Sequence, residues 1–112
     1  MQSDRVVQFV VDAAWRNLPG EVQHQVRRCL LDAMGALIAG TQAPVAAMMA
    51  DLAASQYGGA QATLLAGGMS VSAVGAALAN GFAANALDLD DGHRLVKGHP
   101  GSCLLPALLA AT

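Results

Sequence analysis

Charge is what this chain has least of. Asp, Glu, Lys and Arg together make up 12% of its 112 residues, about half the roughly 25% of an ordinary soluble domain. The 36 residues from Leu52 to Leu87 carry none at all. Aromatic residues are scarce too, at 4%, although hydrophobic residues reach 54%. The apolar content is therefore mostly Ala, with Leu, Val, Met and many Gly. Small side chains let helices approach closely, but each buries little area. A chain of this size also buries a modest fraction of its surface. Much of the apolar surface is expected to face something else, such as further chain or a second subunit.

The other scarcities exclude whole classes of protein. A net charge of −2 and a pI near 5.8 leave no basic footprint, which argues against a nucleic-acid partner. Cysteine occurs twice, at Cys29 and Cys103, with no CxxC pair. Two buried free thiols are the expectation. The uncharged run is long enough to cross a bilayer, but Gln56, Gln61, Asn80, Asn85 and the pairs Gly58-Gly59 and Gly67-Gly68 interrupt it. No uninterrupted apolar piece reaches the roughly 18 residues that a spanning helix needs, so no membrane partner is expected. Asp12 breaks the first apolar stretch and no small-residue cleavage site follows it. A signal peptide is not expected, and a cytoplasmic location is.

Glycine and proline punctuate what is left into helices. Ser3 or Asp4 can cap a first helix running to about Asn17, with Val6, Val7, Phe9, Val10, Ala13 and Ala14 as its apolar face. Leu18-Pro19-Gly20 is a break, and Glu21 suits the first turn of the next helix. Val22, Val26, Cys29, Leu30, Ala33, Met34, Leu37 and Ile38 recur at helical spacing up to a stop at Gly40. Asp32 lies within that apolar end, where a cap or an ion pair with Arg28 would satisfy it. His24, among polar neighbours, reads as a solvated surface histidine. A third helix starts at Pro44 and ends before Gly58-Gly59. Ala62 to Leu65 suits a short extended piece. Ser70 or Ser72 can cap a fourth helix reaching Ala86, apolar nearly all round. A fifth begins after His99-Pro100, with Pro106 inside it or near its first turn. The whole, residues 1–112, reads as a single all-α segment, a bundle of about five helices.

After the uncharged run, the chain places Asp88, Asp90, Asp91, His93, Arg94, Lys97 and His99 within twelve positions. Burying such groups costs several kcal/mol each unless they are paired, and functional sites tolerate that cost. Crowded carboxylates can poise one of their number as a general acid or base. An imidazole can shuttle a proton, while Arg94 and Lys97 can bind an anion or neutralise the aspartates. Three readings stand side by side on spacing alone: a solvated acidic loop, a metal site built on D-x-D-D-x-H, and a metal-free acid–base site for a small acidic substrate.

Several segments, taken in order, resemble the MmgE/PrpD family. They are Leu30-Leu31-Asp32-Ala33-Met34-Gly35 with Ala39-Gly40, then Asn80-Gly81, then Ala86-Leu87-Asp88-Leu89-Asp90-Asp91-Gly92-His93, then Gly98-His99-Pro100 and Leu105-Pro106-Ala107. Members include 2-methylcitrate dehydratase, cis-aconitate decarboxylase and iminodisuccinate epimerase. The resemblance implies that this is the N-terminal part of a larger all-helical domain, which in the family is joined to a lid domain and forms homo-oligomers. It implies chemistry without cofactor or metal on small di- or tricarboxylates. It places Asp88 and His99 in the active site, with Asp91 and His93 as weaker catalytic candidates and Asp90 as a brace for the loop; Arg94 and Lys97 stand as substrate-binding candidates on their charge. Several members have Thr where this chain has Gly92, so one hydroxyl that could touch substrate is missing. Members run to several hundred residues, and the Lys, Tyr and later His residues of their sites have no counterpart here. The expectation is thus a segment inactive alone. A helical oligomerisation module without catalysis is the alternative.

Overall fold

The computed structural model describes residues 2–95 and 97–112, with Gln2 described by its backbone only. Five α-helices lie within them: α1 Gln2–Asp12, α2 Gly20–Gly40, α3 Pro44–Gln56, α4 Ala73–Asn85 and α5 Pro100–Ala111. Between α3 and α4 a small antiparallel hairpin pairs β1 (Ala62–Thr63) with β2 (Ser70–Val71). The protein is an all-α segment, as its periodicity implies, and the expected extended piece at Ala62 is the first arm of the hairpin. Among the described residues no single helix is long and apolar enough to cross a membrane, and one pair, α2 and α3, bent by 87°, meets that length and composition together.

The boundaries follow local chemistry. Pro19 precedes α2, Pro44 occupies the first turn of α3, and Pro100 that of α5, where a missing N–H costs no hydrogen bond. Ser72 caps α4, its Oγ accepting from Gly75 N at 3.2 Å.

The first helix ends five residues earlier than the sequence implies. It closes at Asp12, and Trp15–Asn17 forms a separate 3-10 turn. The cause is a tertiary contact. The Gln23 side-chain amide donates to the carbonyls of Trp15 (3.1 Å) and Leu18 (2.9 Å), and the Arg27 guanidinium lies 5.2 Å from the Trp15 ring centre. These contacts tie the turn to α2 instead of extending α1. The apolar face read for α1 is exposed throughout, from Val6 to Val11. The first half of α2 is exposed as well, at Val22, Val26 and Leu30. Both cysteines are exposed free thiols, which corrects the expectation of burial: Cys29 lies on the open first half of α2, and Cys103 opens onto a surface groove beside α4. Arg28 donates to Gln25 at 3.4 Å and makes no ion pair with Asp32 among the described residues.

The core centres on α4, which packs against α2, α3, α5 and the hairpin. One side of it joins Ala76 and Ala79 with Ala50, Ala53, Leu64 and Val71. The other joins Ala83 and Ala84 with Leu37 and Ala46. Nearly every buried α4 residue is Gly or Ala, so backbones come together without large side chains between them. A Cβ built on Gly40 of α2 would overlap the carbonyl of Ala83. Where α5 crosses, a Cβ on Gly81 would lie 3.3 Å from the Ser102 carbonyl. That carbonyl has lost its usual helical donor, because the residue four positions on is Pro106, which has no N–H. The buried polar exception, Asn80, accepts from Leu65 N at 2.9 Å and donates to the Thr63 carbonyl at 3.1 Å. It thereby fastens the hairpin to α4.

Two glycines of α2 should respond with opposite signs. Gly40→Ala forces the α2–α4 crossing apart and is expected to cost about 1–3 kcal/mol. Gly35 has nothing within 4 Å of its would-be Cβ, so Gly35→Ala should gain up to about 1 kcal/mol of helix propensity. Urea midpoints at unchanged slope read both changes.

Candidate active site

The segment from Ala86 to His99 links the C-terminus of α4 to the N-terminus of α5, and those two helices are firmly packed together. The polar cluster is therefore held at both ends by rigid elements. Asp88 adopts φ +54°, and Lys97 φ +50°. This left-handed region is uncommon for residues other than glycine, though Asp enters it more readily than most. The turn at Asp88 reverses the chain and brings Asp90 back under His99. Beyond it, His93 N donates to the Gly98 carbonyl at 2.9 Å and Lys97 N to the His93 carbonyl at 2.8 Å, closing a tight loop that carries His93, Arg94 and Lys97 outward.

His99, immediately before α5, is the meeting point. Its Nδ1 faces Asp90 Oδ2 at 3.2 Å, and its Nε2 lies 3.9 Å from Asp88 Oδ1. The two carboxylates differ sharply in setting. The Asp90 side chain is 1% exposed and that of Asp88 is 86% exposed, with His99 between them at 40%. Both Asp90 oxygens accept from Asn85 Nδ2, each at 3.1 Å. His99 Nδ1 is itself shielded from solvent and lacks an aligned hydrogen bond, so its approach to Asp90 is close but off-axis.

His99 also borders two depressions. One, of about 440 Å³, is a mostly apolar groove between α4 and α5 lined by Leu78, Gly81, Phe82, Asn85, Ser102 and Cys103. The other, of about 260 Å³, is shallow and lined by Gly92, His93, Arg94, Lys97 and Gly98. A cationic patch and an apolar groove thus meet at an imidazole with carboxylates on two sides.

The structure brings Asp88, Asp90 and His99 together and sets His93, Arg94 and Lys97 along one rim. It does not bring Asp91 to them. The Asp91 Oδ1 accepts from Gly101 N at 2.8 Å, capping α5 where a negative charge suits the helix dipole. Its other face borders a separate hollow with Arg28, Cys29 and Asp32 of α2. Sequence reasoning passed over Asn85. Its signal was present, a polar residue closing an otherwise apolar helix just before an acidic turn, but its partner lies across a reversal that spacing does not reveal. Asp88, Asp90 and His99 also offer ligand atoms within 4.8 Å of one another. A tetrahedral ion with bonds of about 2.1 Å holds its ligands about 3.4 Å apart, so this set would have to contract around one.

These features define an all-helical domain that presents an aspartate–histidine cluster at a helix–helix seam. The chain matches the MmgE/PrpD N-terminal domain over residues 4–112 and belongs to that family. No curated protein and no solved structure matches it significantly.

Two substitutions probe the local architecture. Asp91→Ala removes the cap of α5 and should cost about 0.5–2 kcal/mol, the usual range for a lost helix cap. Asp88→Gly relieves a left-handed backbone and should raise stability by up to about 1 kcal/mol. The two urea transitions should move in opposite directions.

Proposed function

We propose that this chain supplies one wall of a lyase or isomerase site for small di- or tricarboxylates, working by acid–base chemistry without a cofactor. The observation that carries the reading is His99 standing between Asp88 and Asp90 where a cationic rim meets an apolar groove. Removing a proton next to a carboxylate requires a base within hydrogen-bond reach and a means of holding the acid still. Arg94 and Lys97 would hold a carboxylate of the substrate, since charge-assisted contacts to carboxylates are the strong ones. One of His99 and Asp88 would then take the proton from carbon while the other protonates the departing hydroxyl, or returns a proton to the opposite face; in a decarboxylation the C–CO2 bond breaks first and one of them protonates the carbon left behind.

The same geometry argues that the chain does not complete the reaction unaided. Asp88 lies open to solvent, and among the described residues nothing covers the site to exclude water or strengthen its electrostatics. Gly92 offers no hydroxyl. Dehydration, decarboxylation and epimerisation all remain within the reading, because each passes through a carbanion or enol next to a carboxylate, formed by proton removal in the first and last and by loss of carbon dioxide in the second. Membership of a soluble, cytoplasmic homo-oligomer is part of the proposal.

Titration of the 15N-labelled chain with 2-methylcitrate or cis-aconitate tests it. Weak binding, on the order of millimolar, should move the amide signals of Lys97 to His99, with no product formed. Arg94→Ala combined with Lys97→Ala should weaken that binding about tenfold or more. Signals at His99 unmoved at saturating acid would overturn the substrate reading, and measurable turnover would overturn the claim of incompleteness.

A further inference from the structure

We propose that Asn85 and Asp90 are positioning residues that fix His99 in a single tautomer, with its hydrogen on Nδ1 and a free Nε2 turned toward Asp88. This rests on the acid–base reading above and adds to it which nitrogen does the work.

The argument begins with burial. A carboxylate 1% exposed must be satisfied by hydrogen bonds, or its desolvation is costly. Asn85 meets that need by donating its amide nitrogen to both oxygens at 3.1 Å. The opposite amide orientation would set oxygen against oxygen. Asp90 is thus held as an acceptor, and it stands 3.2 Å from His99 Nδ1. The approach is off the axis of a full hydrogen bond, but a buried carboxylate this close to a shielded ring nitrogen still favours the tautomer that carries hydrogen there over one that sets lone pair against lone pair. The second nitrogen is then the acceptor. Nε2 lies on the side of Asp88, 3.9 Å away, where the exposed carboxylate and the groove meet.

The fold anchors the group at two helix ends, with Asp90 on the loop between them. Asn85 is the last residue of α4, and His99 directly precedes α5. Asp90 is held between them by the reversal at Asp88. The His99 carbonyl also accepts from Ser102 Oγ at 2.9 Å, which pins its backbone to the first turn of α5. A carboxylate that orients an imidazole through one nitrogen leaves the other poised to take and return a proton, the division of labour of the Ser-His-Asp triad. Asp90 is therefore more than a brace for the loop. Asn85 acts one step further back, by holding Asp90.

Long-range 1H–15N correlation spectra of the chain labelled at histidine nitrogens, recorded at about pH 8.5 where imidazoles are neutral, read each tautomer directly. His24 and His93 are exposed and serve as internal references for the form that free histidine prefers, with hydrogen on Nε2. His99 should show the reverse pattern in the unaltered chain. Asp90→Asn and Asn85→Ala should return it to the reference pattern or to a mixture, leaving the other two histidines unchanged. Hydrogen on Nε2 of His99 in the unaltered chain overturns the proposal, and so does an unchanged pattern in a folded Asp90→Asn variant. The spectrum of the unaltered chain decides the matter even where a variant does not fold. Because no substrate is added, failure here is distinguishable from failure of the carboxylate titration.

Discussion

The near-contact of backbones around α4 is the constraint on which the rest depends. A helix whose buried face is built from Gly and Ala brings its neighbours to distances that admit no larger side chain, as Gly40 against the Ala83 carbonyl shows. The stabilisation comes from many small contacts at high density rather than from a few large rings. Such packing is intolerant of displacement, because a shift of one helix opens gaps along its whole length. That rigidity is what a site at the end of α4 needs. Asn85 and His99 are placed accurately only if the α4–α5 seam is, and the seam is tight where Gly81 admits the carbonyl that Pro106 leaves free.

The same economy explains the distribution of polarity. A core of small residues leaves no room for stray charge, and the uncharged run from Leu52 to Leu87 covers the hairpin and α4, the most enclosed part of the chain. Asn80 is tolerated there because both ends of its amide are satisfied by backbone groups of the hairpin. Asp90 is tolerated because Asn85 and His99 surround it. Buried polar groups whose partners are fixed by the backbone in this way help to specify one arrangement.

Much of this was legible in the residues. Proline and glycine marked the helix boundaries because their backbone effects are local: Pro44 and Pro100 open helices, Gly40 closes one, and Ser72 caps another. The resemblance singled out Asp88 and His99, and the fold brings them within 4 Å of each other. What could not be read was set by partners distant in sequence. The first helix ends at Asp12 because Gln23, beyond a proline, claims the carbonyls of Trp15 and Leu18. Asp91 faces α5 rather than His99 because the chain reverses at Asp88, a choice of backbone region that residue identity only permits. The exposure of Cys29 likewise depends on which face of α2 meets its neighbours, and periodicity cannot rank one apolar face above another.

Asp91 gives the site a dynamic character. Its carboxylate reaches across the loop to the first turn of α5, while His99 forms the hinge between loop and helix. Loop and helix start are consequently one cooperative unit: the loop cannot swing out without fraying α5, and α5 cannot fray without releasing His99. Opening of such a unit costs more than the movement of an ordinary surface loop. The Gly101 amide, hidden behind Asp91, would exchange its hydrogen only when the whole unit opens, so that the lifetime of the assembled site is written into the exchange rate of a single proton.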